Sequence, residues 1–139
     1  MKYIGEDLYQ AYFDLLDGNI EWSGADVPVY TVVKPTATPP YIYLNDVQTF
    51  EGGTKDTFIH EATMIIDIIT NDRSKKAMAS ITDDLLGLLK TSRGGVISMD
   101  NFTVIAMDVV GQQTNEYLDD EKQFHIITNT IRINHLIEE

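Results

Sequence analysis

The chemistry open to this chain rests on three histidines and 22 carboxylates, because it contains no cysteine. Disulfides, thiolate metal sites and cysteine nucleophiles are therefore excluded, which suits assembly in a reducing cytosol. His60-Glu61 starts like the zinc-protease pattern His-Glu-x-x-His, which sets two imidazoles one helical turn apart. Residue 64 is Met, however, so the second ligand is missing. His125 and His135 stand ten residues apart, with no Asp or Glu at a ligand spacing to complete a site. Asp83-Asp84 and Asp119-Asp120-Glu121 offer paired carboxylates, the raw material for Mg²⁺ binding or acid–base work. Neighbouring carboxylates on a helix diverge, and an acidic loop is ordinarily just solvated. Gly52-Gly53 and Gly94-Gly95 lack the Gly-x-Gly-x-x-Gly and Gly-Lys-Ser/Thr patterns that cradle phosphate. No serine sits in a Gly-x-Ser-x-Gly elbow. Asn101-Phe102-Thr103 matches the glycosylation acceptor pattern, which has meaning only in a secreted chain. Asp67 and Asp108 interrupt apolar runs. Each faces solvent or a lumen, or pairs with a cation such as Arg132 in a subunit contact. These residues nominate no catalytic, cofactor-binding or metal-binding group, and the expectation is a protein that is not an enzyme.

The elements that position these residues follow from spacing. Ile4, Leu8, Ala11, Tyr12, Leu15 and Leu16 recur at helical intervals from about Gly5 to Asp17, with Glu6 and Asp7 in the first turn and Gly18 as the stop. Residues 19–28 read as loop, with the lone Trp22 capping one end of the core or facing a partner. Val29–Val33 is a short β-rich run. Pro39 and Pro40 fix φ and remove two donors, so the next strand starts at Tyr41 and continues to Val47. Gly52-Gly53 suits a connection needing positive φ, so a long-looped hairpin is expected. The strand from His60 to Thr70 is apolar on both faces apart from Asp67, implying cover on both, with a partner as a candidate cover for one. Asn71 to Ser74 offers several helix caps, and Met78, Ile81, Leu85, Leu88 and Leu89 mark the stripe of a second helix. Phe102–Gln112 and Phe124–Ile137 are the closing strands, with Asn115–Lys122 as a solvated loop. Phe124 and Ile126 run out of phase with Ile127, Ile131 and Ile133, which predicts a bulge or two-faced burial. The order α-β-β-β-α-β-β predicts a single α+β domain over residues 1–139: a mainly antiparallel sheet with one layer of two helices.

The balance of charge narrows the partners. Twenty-two acidic against ten basic residues give a net charge of −12, a field that repels phosphate at long range. Binding driven by counterion release needs clustered cations, and only Arg73, Lys75 and Lys76 gather. Sequence-specific nucleic-acid binding is not expected, although an acidic wall that DNA slides past would fit the same charge. No apolar run approaches the about 20 residues that span a bilayer. Residues 1–20 show no basic segment before an apolar core, so neither a membrane nor a signal peptide is expected.

In layout the chain resembles the phage tail-completion family, the tail terminators and head–tail joining proteins of long-tailed, non-contractile phages. The resemblance rests on order and spacing: a helix ending in Leu15-Leu16, a Val27-Pro28-Val29-Tyr30 lead-in, a Pro40-Tyr41-Ile42 strand start and a polar loop holding Lys55-Asp56. After these come the Ile65–Ile69 strand, an Asp72–Ser74 helix start, a Leu85-Leu86 helix end and two closing strands. Thr70-Asn71-Asp72-Arg73 departs from the family, whose members often carry an aromatic residue and a serine there. The resemblance implies a homo-oligomeric ring, typically a hexamer, at the head-proximal end of the tail tube. Such a ring ends tube polymerisation and meets the major tail protein on one side and the head connector or stopper on the other. It would be assembled in the host bacterial cytoplasm and carried in the virion, with DNA passing through it.

Two polar connections are the expected subunit or tube contacts: Thr49, Phe50, Glu51, Lys55 and Asp56 in the first, and Glu116, Tyr117, Asp119, Asp120, Glu121 and Lys122 in the second. Three alternatives stay open. One is a neck or minor capsid protein. Another is a small metal-dependent enzyme using Asp67, Asp83, Asp84 or Asp108. The last is a binding module displaying Tyr41, Tyr43 and Tyr117.

Overall fold

A computed structural model describes residues 4–33, 36–54, 57–71, 75–91, 98–119 and 124–138. Helix α1 spans Gly5–Leu16; its inward stripe of Leu8, Ala11, Tyr12 and Leu16 is buried. Asp17 N–H caps the helix end by donating to Phe13 O at 2.8 Å, and Gly18 then turns the chain out at φ 75°. That left-handed value is one glycine tolerates freely. Helix α2, Lys76–Thr91, buries Ala77, Met78, Ile81, Thr82, Leu85 and Leu89, while Leu88 is half-buried at the stripe's margin.

Between the helices run short strands β1 (Glu21–Trp22), β2 (Ala25–Asp26) and β3 (Val29–Tyr30), then the long strands β4 (Tyr41–Thr54) and β5 (Thr57–Thr70). Two further long strands, β6 (Thr103–Asp119) and β7 (Phe124–Glu138), follow α2. β1 and β2 form their own hairpin about Ser23-Gly24, both at positive φ (56° and 81°), as a primed two-residue turn requires. The remaining strands form one sheet in the order β3-β4-β5-β7-β6. Every pairing in it is antiparallel except β3 with β4. Both helices lie on one face, over a core that includes Ile42, Leu44, Met64, Ile66, Ile68, Ile131, Ile133 and Ile137. The α+β layering expected from the order of elements is therefore present.

Several boundaries differ from the sequence reading. The 19–28 segment is not loop but carries the β1–β2 hairpin, whose two-residue strands are too short to show periodicity. Val29–Val33 shrinks to two paired residues, laid parallel on β4. Thr49–Thr54 is not part of a loop: Gly52 pairs with Ile59 and Gly53 with Phe58, so the hairpin ladder runs on to Thr54 opposite Thr57. Asn115–Asp119 likewise belongs to β6, each residue paired with β7. No bulge separates Phe124 and Ile126 from Ile127: β7 pairs with β6 in continuous register from Phe124 to Arg132. Ile126 is half-buried on the face opposite buried Ile127, while the register shifts of β6, at Ile105 and Val110, lie opposite the other half of β7. Among the described residues β5 is covered on one face, and Ile65, Asp67 and Ile69 are partly exposed on the other. Asn71 is described but the rest of the expected α2 cap, Asp72–Ser74, lies outside the described residues.

Candidate functional site

The long strands set two faces of opposite character, with His60 and His135 on the covered one and Glu61 and Asp67 on the other. His135 belongs to the covered face. Its Nδ1 lies 2.9 Å from Ala62 O and its Nε2 lies 2.6 Å from Tyr12 Oη. A carbonyl only accepts, so Nδ1 carries the hydrogen and Nε2 accepts the proton of the tyrosine hydroxyl. The Tyr12 hydroxyl has one hydrogen to give, and the Met107 sulfur at 3.8 Å is a packing contact beside that shorter bond. Burial lowers the His135 pKa from its ordinary value, and the Ala62 hydrogen bond opposes this only in part. Burial also pushes the Tyr12 phenol well above its usual range. Both groups are thus held neutral, with no groove opening on them; the pair holds α1 to the sheet. His60 is buried as well, edge-on to Phe102 with ring centres 6.1 Å apart.

On the other face, Asp67 accepts from Asn45 Nδ2 at 2.7 Å and from Thr130 Oγ1 at 2.6 Å. Asn134 donates to Glu61 at 3.2 Å and accepts from Thr63 at 3.3 Å. This polar ladder crosses three strands of the open face. Asp67 therefore faces outward and is satisfied by neutral neighbours; Asp108 is exposed and sits across from Asn134. Asp83 and Asp84 are exposed on α2. Among the described residues no three His, Asp or Glu come together as a metal site. No described helix is long and apolar enough to cross a membrane. A groove of about 460 Å³ on the outside of α1 is lined by Glu6, Tyr9, Gln10, Phe13 and Thr31. Among the described residues its lining holds a single carboxylate and no nucleophile–base pair.

The expected contact segments lie far apart. Thr49 and Phe50 are exposed on β4. The Glu51 backbone is in the same strand, and Lys55 and Asp56 fall outside the described residues. Glu116 and Tyr117 are exposed on β6, with Glu116 in an ion pair to Lys75 at 3.0 Å. Asp119 ends that strand, while Asp120, Glu121 and Lys122 are outside the described residues. The register puts the two hairpin ends at opposite ends of the sheet. β5 pairs with β7 from Ile59 to Thr70, a span of roughly 36 Å at the usual strand rise. Among the described residues, Thr57 and Phe58 pair with β4 alone, and Phe124 to Ile126 with β6 alone.

The sequence reading missed a third feature, the apolar flank of β6. Ile105 is 47% exposed, Val110 59% and Tyr117 58%, and neighbouring Leu136 on β7 is 38% exposed. Phe50, at 63%, is its counterpart on β4. The run Val104-Ile105-Ala106-Met107 with Val109-Val110 carried the signal, but two bulges scramble its period.

No known protein family and no curated protein matches this chain. Its fold is similar to that of a solved chain from the virion of a native gene transfer agent particle, with a TM-score of 0.53 at 12% identity. That likeness covers 94% of this chain and 92% of the other. At so low an identity it establishes a shared fold.

Proposed function

We propose that this chain is a structural virion protein, a tail-completion subunit that assembles with copies of itself into a ring at the head-proximal end of a tail tube. There it ends tube growth and offers the joining surface for the head. The observation that carries the reading is the near end-to-end fold likeness to a chain of a gene transfer agent virion. The two long hairpins support it, because their described ends, Thr54/Thr57 and Asp119/Phe124, stand at opposite ends of one sheet. A ring standing between tube and head needs one contact surface toward each. In this reading the end at Thr54 and Thr57 and the end at Asp119 and Phe124 meet different neighbours, the major tail protein and the head connector or stopper. The net charge of −12 lets DNA pass without being held. The chain acts without catalysis, cofactor or metal, by fit alone, in the virion and after assembly in the bacterial cytoplasm.

Deleting the gene and viewing particles by negative-stain microscopy tests the role. Loss of a terminator gives tails of uncontrolled length. Tails of normal length that stay detached from heads would instead assign the chain to the neck.

A further inference from the structure

The sheet has two long edges that the described residues leave open, and they complement one another. β6 pairs with β7 along one side only. On β4 the short β3 covers Ile42 and Tyr43 and leaves the strand open from Asp46 onward. Native edges are usually blunted by Lys, Pro or short length. Neither β4 nor β6 contains a Lys, an Arg or a Pro, and they run 14 and 17 residues. Bulges often twist an edge out of reach, but the two extra residues of β6 are Ile105 and Val110, apolar and substantially exposed.

We infer that the β6 edge of one copy pairs with the Asp46–Thr54 edge of β4 in the next, joining copies head to tail into one continuous sheet. The inference rests on the proposed self-assembly and names the surface that performs it. Three features of the register carry it. First, the long strands β4, β5, β7 and β6 alternate direction and are four in number. A further copy in the same orientation therefore sets its β4 antiparallel to β6 and keeps its helices on the same face. Second, the open parts match in height: the pairings that link Asp46 to Gly52 through β5 and β7 arrive at Gly111 to Thr103 on β6. The part of β4 hidden by β3 matches instead the polar stretch near Gln113. Third, side chains fit along shared rows. Phe50, Glu61, Leu136 and Ala106 form one row, so Phe50 of the next copy comes beside Ala106, with Ile105 and Leu136 around it. Asp46, Ile65, Arg132 and Gly111 form another. Gly111 has no side chain, which leaves exposed Arg132 a path to Asp46 of the next copy across about 9.6 Å, two strand spacings. Such a contact uses two different patches, so it closes into a ring or extends as a filament according to the rotation per copy.

The absence of cysteine makes the test free of background. Phe50→Cys and Ile105→Cys variants of the full chain are oxidised alone and mixed one to one, with Gln48→Cys in place of Phe50→Cys to cover a two-residue stagger. The mixture is expected to give a disulfide-linked dimer, the Phe50→Cys/Ile105→Cys double variant a ladder, and neither single variant a product. Efficient dimers from Ile105→Cys alone would overturn the inference, since they report β6 meeting β6. Assembly without any 48–105 or 50–105 link would overturn it while leaving the ring intact; a chain that stays monomeric and unlinked would defeat both. Val110→Lys and Phe50→Lys give a second readout, with circular dichroism confirming that each folds. Each alone should weaken self-association on the order of tenfold or more, and their mixture should stop at a dimer through the single pair of unaltered edges.

Discussion

The same strands carry two different surfaces. On β5, His60, Ala62, Met64, Ile66, Ile68 and Thr70 are buried beneath the helices. One residue out of phase, Glu61, Thr63, Ile65, Asp67 and Ile69 stay partly or fully exposed. The covered face is mostly apolar, with the hydrogen-bonded pairs Tyr12–His135 and Asn129–Thr82 set into it. On the open face a polar ladder of Asn45, Asp67 and Thr130 runs beside half-buried Ile65 and Ile69, with exposed Phe50 on β4 and Leu136 on β7 toward the margins; Ile105 and Val110 are exposed on the edge strand β6. Under the proposed self-assembly, this division puts stability and association on different side chains, so mutation should separate them.

The sharpest contrast lies within one strand. Ile66→Ala opens a cavity under both helices and should cost about 2–5 kcal/mol in urea unfolding. Thr63→Ala on the open face should cost less than about 1 kcal/mol. Equal losses would show that the open face is part of the core. Next in size, Tyr12→Phe leaves the buried His135 Nε2 without a donor and should cost about 1–3 kcal/mol. An unchanged midpoint would mean that another group takes over the bond.

His135 also sets a pH dependence. Its folded pKa is below the ordinary 6.5, so the unfolded chain takes up the proton first as pH falls. Its contribution is complete above about pH 6.5 and is lost as pH drops toward the lower folded value, at no more than about 1.4 kcal/mol per pH unit. Melting curves at pH 7.5 and 5.5 should show the decline, and replacing both partners (Tyr12→Phe with His135→Leu) should flatten it. Smallest of all, breaking the exposed Lys75–Glu116 pair with Glu116→Gln should change stability by about 0.5 kcal/mol or less. A larger loss would move that end of β6 from surface into structure.

The sequence made legible what its periods encode. The stripes of α1 and α2 and the alternation of Ile127, Ile131 and Ile133 all stand on the buried side, because burial needs a repeat of 3.6 or 2. Where the physics was local and polar, the reading failed. Gly52-Gly53 suggested a loop, yet hydrogen bonding to β5 holds both in the ladder. Asn115 and Glu116 carry no strand signal and are strand because β7 offers them partners. Thr49, Phe50, Glu116 and Tyr117 are exposed, but they stand on strands β4 and β6 instead of in loops. Ile105 and Val110 escaped notice because bulges shift their phase, and no single-chain pattern marks an edge that awaits a second copy.

Sedimentation velocity of the purified full chain, with and without isolated tail tubes, tests the central claim most directly. The account predicts a closed ring of one defined mass, alone or seated on tube ends, that Val110→Lys reduces to folded monomer. A wild-type chain that remains a monomer under both conditions and leaves tube length unaltered would contradict it.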